Sequence, residues 1–355
     1  MIPAILYKYL YLIIVALLTL VAMQIRRKPG VMENSISSML LCVFVVLFIG
    51  LRPISPVFVD MLNYTQGWGY DFEEGINWNT ENLLFDNLYF FMSNIGAPVE
   101  SFFLLIAAIY FTCIYCACQK LFPNHILLSF LVYLAAFSTF SYGTNGIKAG
   151  AAGSLFLVAL AYRDKMWISV LFLLLSWGFH HSMQLPVVAY ILTLIFKNEK
   201  VYFYGWLFCL MMAIGHITFF QSFFAGFSDE RGAAYLMSNS SDMWGGKSGF
   251  RIDFVIYSVM PVLMGYFVKY KYKLEDKLYD VILNIYLVTN GVWMLCMYAQ
   301  FTNRIAYLSW CMYPIVLVYP CFAIDNQTHP LVANRNKIIG LHLTFTLFME
   351  FIYYA

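Results

Sequence analysis

Charged side chains are scarce in this sequence. Asp, Glu, Lys and Arg make up 11% of the 355 residues and hydrophobic residues 62%, whereas an average soluble protein is roughly 25% charged. This scarcity excludes a soluble enzyme. The formal net charge of +2 says nothing about nucleic acid, but no basic tract is dense enough to bind one, so no nucleic-acid partner is expected.

Cysteine ligand patterns and internal repeats are also missing. All eight cysteines fall within apolar runs, which is typical of small buried side chains rather than of a disulfide framework or a zinc site. Cys113 and Cys116 have the CxxC spacing but no second ligand pair. Because no shift in composition marks a boundary, residues 1–355 are predicted to form a single transmembrane domain.

Apolar runs are what the sequence has in excess. A helix needs about 20 apolar residues to cross a bilayer, and twelve apolar runs bounded by charged or turn residues follow one another along the chain. They predict an all-α, polytopic integral membrane protein with about 12 transmembrane helices. The runs cover residues 5–23, 36–51, 99–118, 126–140, 147–162, 166–179, 183–196, 201–222, 254–268, 279–298, 305–323 and 338–354.

Lysine and arginine are distributed unequally between the predicted turns. If successive spans cross the membrane in opposite directions, fourteen of the 21 basic residues lie on one side of it, and these include Arg26, Arg27 and Lys28. Basic turns face the cytoplasm. Both termini are therefore predicted to lie outside, together with the long outer segments 52–98 and 223–253.

A short amphipathic helix is predicted within the first outer segment. Apolar residues recur there at helical spacing over a length too short to cross a bilayer. They are Leu83, Leu84, Leu88, Phe91 and Met92. We expect this helix to lie in the membrane interface.

Ionisable side chains at the outer ends of the spans are candidates for function, because such groups are costly near a membrane. Arg52 ends the second span, and Asp60 and Tyr64 follow at a spacing of four, which puts both on one side if the segment is helical. The sequence supports equally well a functional site and an interfacial arginine paired with a loop carboxylate.

Lys148 opens a predicted helix that has small residues at nearly every position from 145 to 153. A cation at a helix N-terminus opposes the helix dipole and therefore requires an anionic partner. That partner is either a structural carboxylate or a phosphate held by Lys148 together with backbone N–H groups. We favour the phosphate.

Three further spans carry polar residues at their outer ends. His180 can act as a base or a hydrogen-bond donor near neutral pH, although a single interfacial histidine is more often structural. Arg251 and Asp253 begin the ninth span and Arg304 the eleventh. Arginine suits bidentate contact with phosphate. When each arginine is considered by itself, anchoring of the protein in the membrane interface is the alternative explanation.

Through these same residues the chain resembles the EpsG family of Wzy-type bacterial polysaccharide polymerases. The resemblance extends over most of the chain. It rests on the order of Gly50-Leu51-Arg52, Asp60, Tyr64, Glu81, the helix start at Lys148, His180-His181-Ser182, Gly249-Phe250-Arg251-Ile252-Asp253 and Asn303-Arg304-Ile305. The family usually has Arg-Gln where this chain has Lys148-Ala149, which keeps the charge but loses the planar guanidinium.

The resemblance implies a polymerase in the bacterial inner membrane, with its active site facing the periplasm or the outside. It would transfer a glycan chain from undecaprenyl diphosphate to a sugar hydroxyl of another lipid-linked repeat unit, with inversion. The implied site residues are Arg52, Lys148, Arg251 and Arg304 for the diphosphate, Asp60, Glu81 and His180 for catalysis, and Tyr64 and Asp253 for the sugar. Trp68, Tyr70 and Trp78 could stack on sugars, although interfacial aromatic belts are the commoner explanation.

The implied partners are the lipid bilayer, the lipid-linked oligosaccharides that serve as donor and acceptor, and a protein that regulates chain length. No cofactor or metal is expected. Three other functions stay open: a membrane O-acyltransferase that modifies a polysaccharide, a transporter of lipid-linked sugars, and a glycosyltransferase that uses an outer-loop Asp and a metal. A transporter would normally have internal repeats and a polar midplane.

Overall fold

The computed structural model describes residues 2–25, 33–70, 75–225, 234, 236–237, 249–324 and 326–354. All regular secondary structure in these ranges is helical, which confirms the all-α class. The basic residues at positions 26–28, 231 and 247, and most of the predicted outer segment 223–253, lie outside the described residues.

We number the α-helices in chain order. They are α1 (Tyr7–Gln24), α2 (Ile36–Gly50), α3 (Val59–Gly67), α4 (Leu83–Asn94), α5 (Val99–Leu121), α6 (Ile126–Leu134), α7 (Thr139–Thr144), α8 (Ile147–Ala161), α9 (Met166–Phe179), α10 (Gln184–Ile195), α11 (Glu199–Ile214), α12 (Phe219–Ala225), α13 (Ile252–Tyr266), α14 (Lys277–Leu295), α15 (Thr302–Trp310), α16 (Tyr313–Ala323), α17 (Pro330–Ala333) and α18 (Arg335–Phe348). Short 3₁₀ turns cover Ala4–Leu6 and His181–Met183, and π-helical turns cover Phe267–Lys271 and Met349–Tyr353.

Five helical segments among the described residues are long and apolar enough to cross a membrane. They are Ala4–Gln24, Val99–Leu121, Ile252–Lys271, Lys277–Leu295 and Thr302–Ala323. Each lies on one of the twelve predicted runs, so a membrane protein with several apolar helices is confirmed. The other seven runs also coincide with helices, but α8 and α9, for example, have only 15 and 14 residues. The number twelve stays a prediction.

The chain divides into two compact units, residues 1–183 with 318–355, and residues 184–317. In the first unit, α8 packs against both α5 and α9 and is buried continuously from Gly150 to Ala161. Small residues permit this packing. The carbonyl oxygen of Tyr142 lies so close to Gly150 that a Cβ atom there would collide with it, and the Ser176 hydroxyl donates a hydrogen bond to the Ala152 carbonyl over 2.7 Å.

In the second unit, α14 is the central helix and contacts α10, α11, α13 and α15. Hydrogen bonds between buried polar side chains join these helices. The Trp206 indole donates to Asn290 over 2.8 Å, the Asn290 amide donates to Ser309 over 3.0 Å, and the Trp310 indole donates to Ser258 over 2.8 Å. A buried indole N–H needs such a partner in apolar surroundings. The helices that follow Arg251 and carry Arg304 are thus held to α14 and to each other.

The predicted orientation can be tested by cysteine labelling in intact cells. Trp78 is 72% exposed in the first outer segment, and Lys273 is exposed in the basic turn that follows α13. We expect a membrane-impermeant maleimide to label Trp78→Cys but not Lys273→Cys, with permeabilised cells labelling both. The unsubstituted chain supplies the background from the eight free cysteines. Labelling of Lys273→Cys alone would invert the orientation, and equal labelling would contradict the span count.

Candidate functional site

Lys148, in the first turn of α8, forms an ion pair with Asp86 of α4. The Lys148 Nζ lies 2.7 Å from Asp86 Oδ1, and the two side chains are 22% and 21% exposed. The ammonium group also lies 4.9 Å from the centroid of the Phe85 ring. The helix-terminal cation therefore has a carboxylate partner, as the dipole argument requires. Phosphate binding by Lys148 stays a prediction, and it would require Lys148 to share or exchange that partner.

A second polar cluster lies where α4 begins and α9 ends. The Asn82 Oδ1 accepts the backbone N–H of His181 over 3.0 Å and lies 3.2 Å from His181 Nδ1. Glu81 Oε2 lies 4.0 Å from the same ring nitrogen. The His180 ring stacks on the His181 ring with centroids 5.1 Å apart, and its Nδ1 lies 2.7 Å from the Ser182 hydroxyl. The two adjacent histidines therefore form one cluster with Asn82, Glu81 and Ser182.

The α4 helix presents two unlike faces. Phe85 and Tyr89 are buried, and their spacing puts them on the same side as Asn82 and Asp86. This side holds α4 against the protein and supplies both polar contacts. Of the predicted apolar stripe, Phe91 is 61% exposed, whereas Leu88 and Met92 are half-buried and share the side of Phe85 by their spacing. A helix is thus present at the predicted place, and its location in the membrane interface stays a prediction.

Arg52 is only 2% exposed. Its Nη1 donates to the Ile49 carbonyl and its Nη2 donates to the Thr144 carbonyl, each over 2.8 Å. The guanidinium carbon lies 5.3 Å from the Phe58 ring centroid and 5.2 Å from that of Phe103. Burial lowers the pKa of Arg52 to about 10, which leaves it charged at neutral pH. In this structure Arg52 joins the end of α2 to α7, and its predicted diphosphate contact is untested.

Asp60 and Tyr64 lie on one helix, α3, as their spacing requires. The Tyr64 ring packs 5.8 Å from the Phe85 ring, and its carbonyl accepts the Tyr89 hydroxyl over 2.7 Å. Asp60 is half-buried on the same helix. The structure therefore places α3 beside the buried face of α4, and the roles predicted for Asp60 and Tyr64 stay predictions.

The three candidate sugar-stacking aromatics differ in exposure. The Trp68 indole donates to the Ala97 carbonyl over 2.9 Å, and its ring packs against Tyr89 with centroids 5.0 Å apart. Tyr70 and Trp78 are 71% and 72% exposed. Tyr70 and Trp78 are thus the better candidates for sugar stacking.

In the second unit, Arg251 and Asp253 form a bidentate pair at the start of α13. Arg251 Nε donates to Asp253 Oδ1 over 3.0 Å and Nη2 donates to Oδ2 over 2.6 Å. The side chains are 11% and 6% exposed, and the guanidinium carbon lies 3.6 Å from the Phe254 ring centroid. Two parallel hydrogen bonds to a carboxylate are among the strongest polar side-chain contacts. Phosphate binding by Arg251 therefore has to coexist with this pair.

Arg304 lies in the first turn of α15 and is the most exposed of the four predicted diphosphate ligands. Its guanidinium carbon lies 4.8 Å from the Phe301 ring centroid. Phe301 has φ +52°, a left-handed conformation that is uncommon for a bulky residue. The Trp293 indole donates to the next residue, Thr302, over 2.9 Å. The backbone beneath Arg304 is therefore held in one specific conformation.

Within the first unit, the structure links several predicted site residues that are distant in sequence. Arg52 bonds to Thr144, four residues before Lys148, and α4 joins Lys148 to the histidine cluster. The partners Asp86, Asn82 and Ser182 were not predicted from the sequence. Asn82 had a usable signal, because asparagine is favoured immediately before a helix.

In the described ranges, no group of three or more His, Cys, Asp or Glu side chains is arranged to hold a metal ion. The expectation of a metal-independent reaction stays a prediction.

Comparison with known proteins identifies the family. The model of the EpsG family matches residues 35–355, which is nearly the whole chain and includes every predicted site residue. No curated protein and no solved structure matches the chain.

Proposed function

Because the chain belongs to the EpsG family, we propose that it is a Wzy-type polysaccharide polymerase acting at the outer face of the bacterial inner membrane. Family membership indicates a membrane protein of polysaccharide biosynthesis. The observation that supports the finer proposal is the collection of cationic, carboxylate and imidazole groups at helix ends, with Lys148, Glu81 and His180 around α4, α8 and α9 in the first unit. A transferase for a charged lipid-linked substrate needs such groups at the membrane boundary.

In the proposed reaction, a hydroxyl oxygen of the acceptor repeat unit attacks the anomeric carbon of the donor glycan. A new C–O bond forms, and the bond from that carbon to the diphosphate oxygen breaks. Undecaprenyl diphosphate leaves with the electron pair, and the hydroxyl proton passes to a base. A single displacement of this kind inverts the configuration at the anomeric carbon.

The cations would act on the departing diphosphate, where negative charge develops. Preorganised charges stabilise such a transition state most when they need no rearrangement. Arg304 fits this role directly because it is exposed. Lys148 fits it if the diphosphate shares the ammonium with Asp86, and Arg251 fits it if the diphosphate approaches the edge of its guanidinium that faces away from Asp253.

The base would be a carboxylate or an imidazole that can reach the acceptor hydroxyl. Glu81 is a candidate because its side chain is 41% exposed and lies beside His181. Asp60 and His180 are the other candidates. Glu81→Gln is the sharpest variant among the three, because it keeps the shape of the side chain and removes the base.

The test is polymerisation by the purified protein. We expect wild-type protein in lipid nanodiscs, incubated with its lipid-linked repeat units, to produce a ladder of glycans on a gel and to release undecaprenyl diphosphate. The same ladder should form in the presence of EDTA. A ladder abolished by EDTA would support a metal-dependent glycosyltransferase instead, and the absence of any ladder would contradict the proposal.

A further inference from the structure

Three residues whose side chains could bind an anion contact the turn between α14 and α15, residues 296–301. Arg251 does so through its backbone, and Arg304 and His216 do so through their side chains. The backbone N–H of Arg251 lies 3.3 Å from the Met297 sulfur, and the Arg304 guanidinium lies over Phe301. The third is His216, whose ring stacks on Tyr298 with centroids 4.1 Å apart and an interplanar angle of 7°. His216 follows α11 and is 82 positions from Tyr298 in sequence.

His216 occupies a backbone position that normally belongs to glycine. Two hydrogen bonds close the end of α11, from the His216 N–H to the Ala213 carbonyl and from the Ile217 N–H to the Met212 carbonyl. In this motif the residue at the His216 position is left-handed and is usually Gly. His216 has φ +54°. A strained residue that persists where a glycine would fit is a candidate for function.

The His216 side chain is held in place and remains accessible. The Tyr298 hydroxyl donates to the Ala213 carbonyl over 2.8 Å, which fixes the ring on which the imidazole rests. His216 is exposed, and neither of its ring nitrogens has a hydrogen-bond partner among the described residues. Stacking covers a face of the imidazole and leaves the nitrogens at its edge available to a ligand.

We infer that His216 is a further substrate-binding residue, which donates a ring N–H to the diphosphate of the lipid-linked donor alongside Arg251 and Arg304. This inference rests on the proposed function and adds a residue to its anion site. The three residues come from different parts of the second unit, and each contacts the same six-residue turn, Arg251 through its backbone and the other two through their side chains. Two residues of this arrangement, His216 and Phe301, have left-handed backbones.

The test variant is His216→Phe, which keeps an aromatic ring for stacking on Tyr298 and removes both nitrogens. Phe301 shows that this chain accommodates phenylalanine at a left-handed position. We expect the protein in detergent to bind undecaprenyl diphosphate about tenfold more weakly by calorimetry, which corresponds to one hydrogen bond to a charged group. The melting temperature should stay near the wild-type value.

The control is a matched pair of glycine variants. Lys273 is also exposed and left-handed, with φ +52°. Arg251 lies before the first residue of α13, whereas Lys273 lies beyond the other end of this helix. His216→Gly and Lys273→Gly both relieve a left-handed side chain, so neither should destabilise the protein through its backbone. We expect only His216→Gly to weaken binding. If His216→Phe itself fails to fold, this pair decides the question.

Equal binding by wild type and the folded His216 variant would overturn the inference, as would an absence of undecaprenyl diphosphate binding by the wild type. Glycan laddering measured in parallel separates this result from the proposed function. A wild-type ladder together with unchanged variant binding defeats the role of His216 alone. A missing wild-type ladder together with weakened variant binding defeats the polymerase and keeps the diphosphate site.

Discussion

Arg304→Ala is expected to reduce polymerisation more than tenfold, about 1.4 kcal/mol of activation free energy, and to leave the melting temperature near the wild-type value. Arg304 is exposed in the first turn of α15, so its removal creates no buried cavity. A guanidinium that only anchors the protein in the interface would contribute far less, because exposed charge contacts are weak. The measurement is glycan laddering by equal amounts of purified protein.

Two further variants separate charge, geometry and general effects. Arg304→Lys keeps the positive charge but loses the planar fork that fits a phosphate, so an intermediate rate is expected. Lys197→Ala removes an exposed cation before α11 and should leave the rate unchanged. A wild-type ladder from Arg304→Ala would reduce Arg304 to a membrane anchor.

Arg251 does not permit an equally clean experiment. Its carboxylate partner Asp253 is buried, and the two groups form two hydrogen bonds. Removing one member of a buried ion pair leaves the other charge uncompensated, which costs about 3 to 5 kcal/mol. A loss of activity in Arg251→Ala would therefore combine lost folding with lost substrate contact, whereas Arg304→Ala removes a side chain that is exposed.

The helices were predictable because they depend on local sequence. Apolar runs bounded by charges coincide with helices, and α3 supplies the helix on which the spacing argument for Asp60 and Tyr64 depended. The stripe from Leu83 to Met92 likewise indicated α4. It did not indicate which side of α4 packs against the protein, because the buried side is defined by Phe85 and Tyr89 and depends on helices elsewhere in the chain.

The partners of the polar residues were not predictable. Lys148 requires an anion by local electrostatics, but Asp86 is one of 19 acidic residues and lies 62 positions away. For Arg52 the sequence left open a functional cation and an interfacial cation paired with a loop carboxylate, whereas in the structure its buried guanidinium donates to two backbone carbonyls, one of them 92 positions distant. Such pairings arise only when the helices pack, and a single sequence carries no record of that packing.

Lys148→Met is expected to lower both stability and polymerisation, because it leaves Asp86 without its ammonium partner. An unpaired and partly buried carboxylate costs about 1 to 3 kcal/mol, which should appear as a lower melting temperature in detergent. This variant alone cannot distinguish a structural lysine from one that binds phosphate. The double variant Lys148→Met with Asp86→Asn can, because it removes both charges together.

We expect the double variant to recover most of the lost melting temperature and to remain inactive in laddering. Recovery follows because an amide and a thioether leave no uncompensated charge at the α4–α8 contact. The double variant should stay inactive because the diphosphate needs the Lys148 ammonium. The single variant Lys148→Arg keeps the positive charge beside Asp86, and it should therefore retain most activity. If the double variant instead recovers laddering with stability, Lys148 is a structural partner of Asp86, and the diphosphate must be bound by other cations.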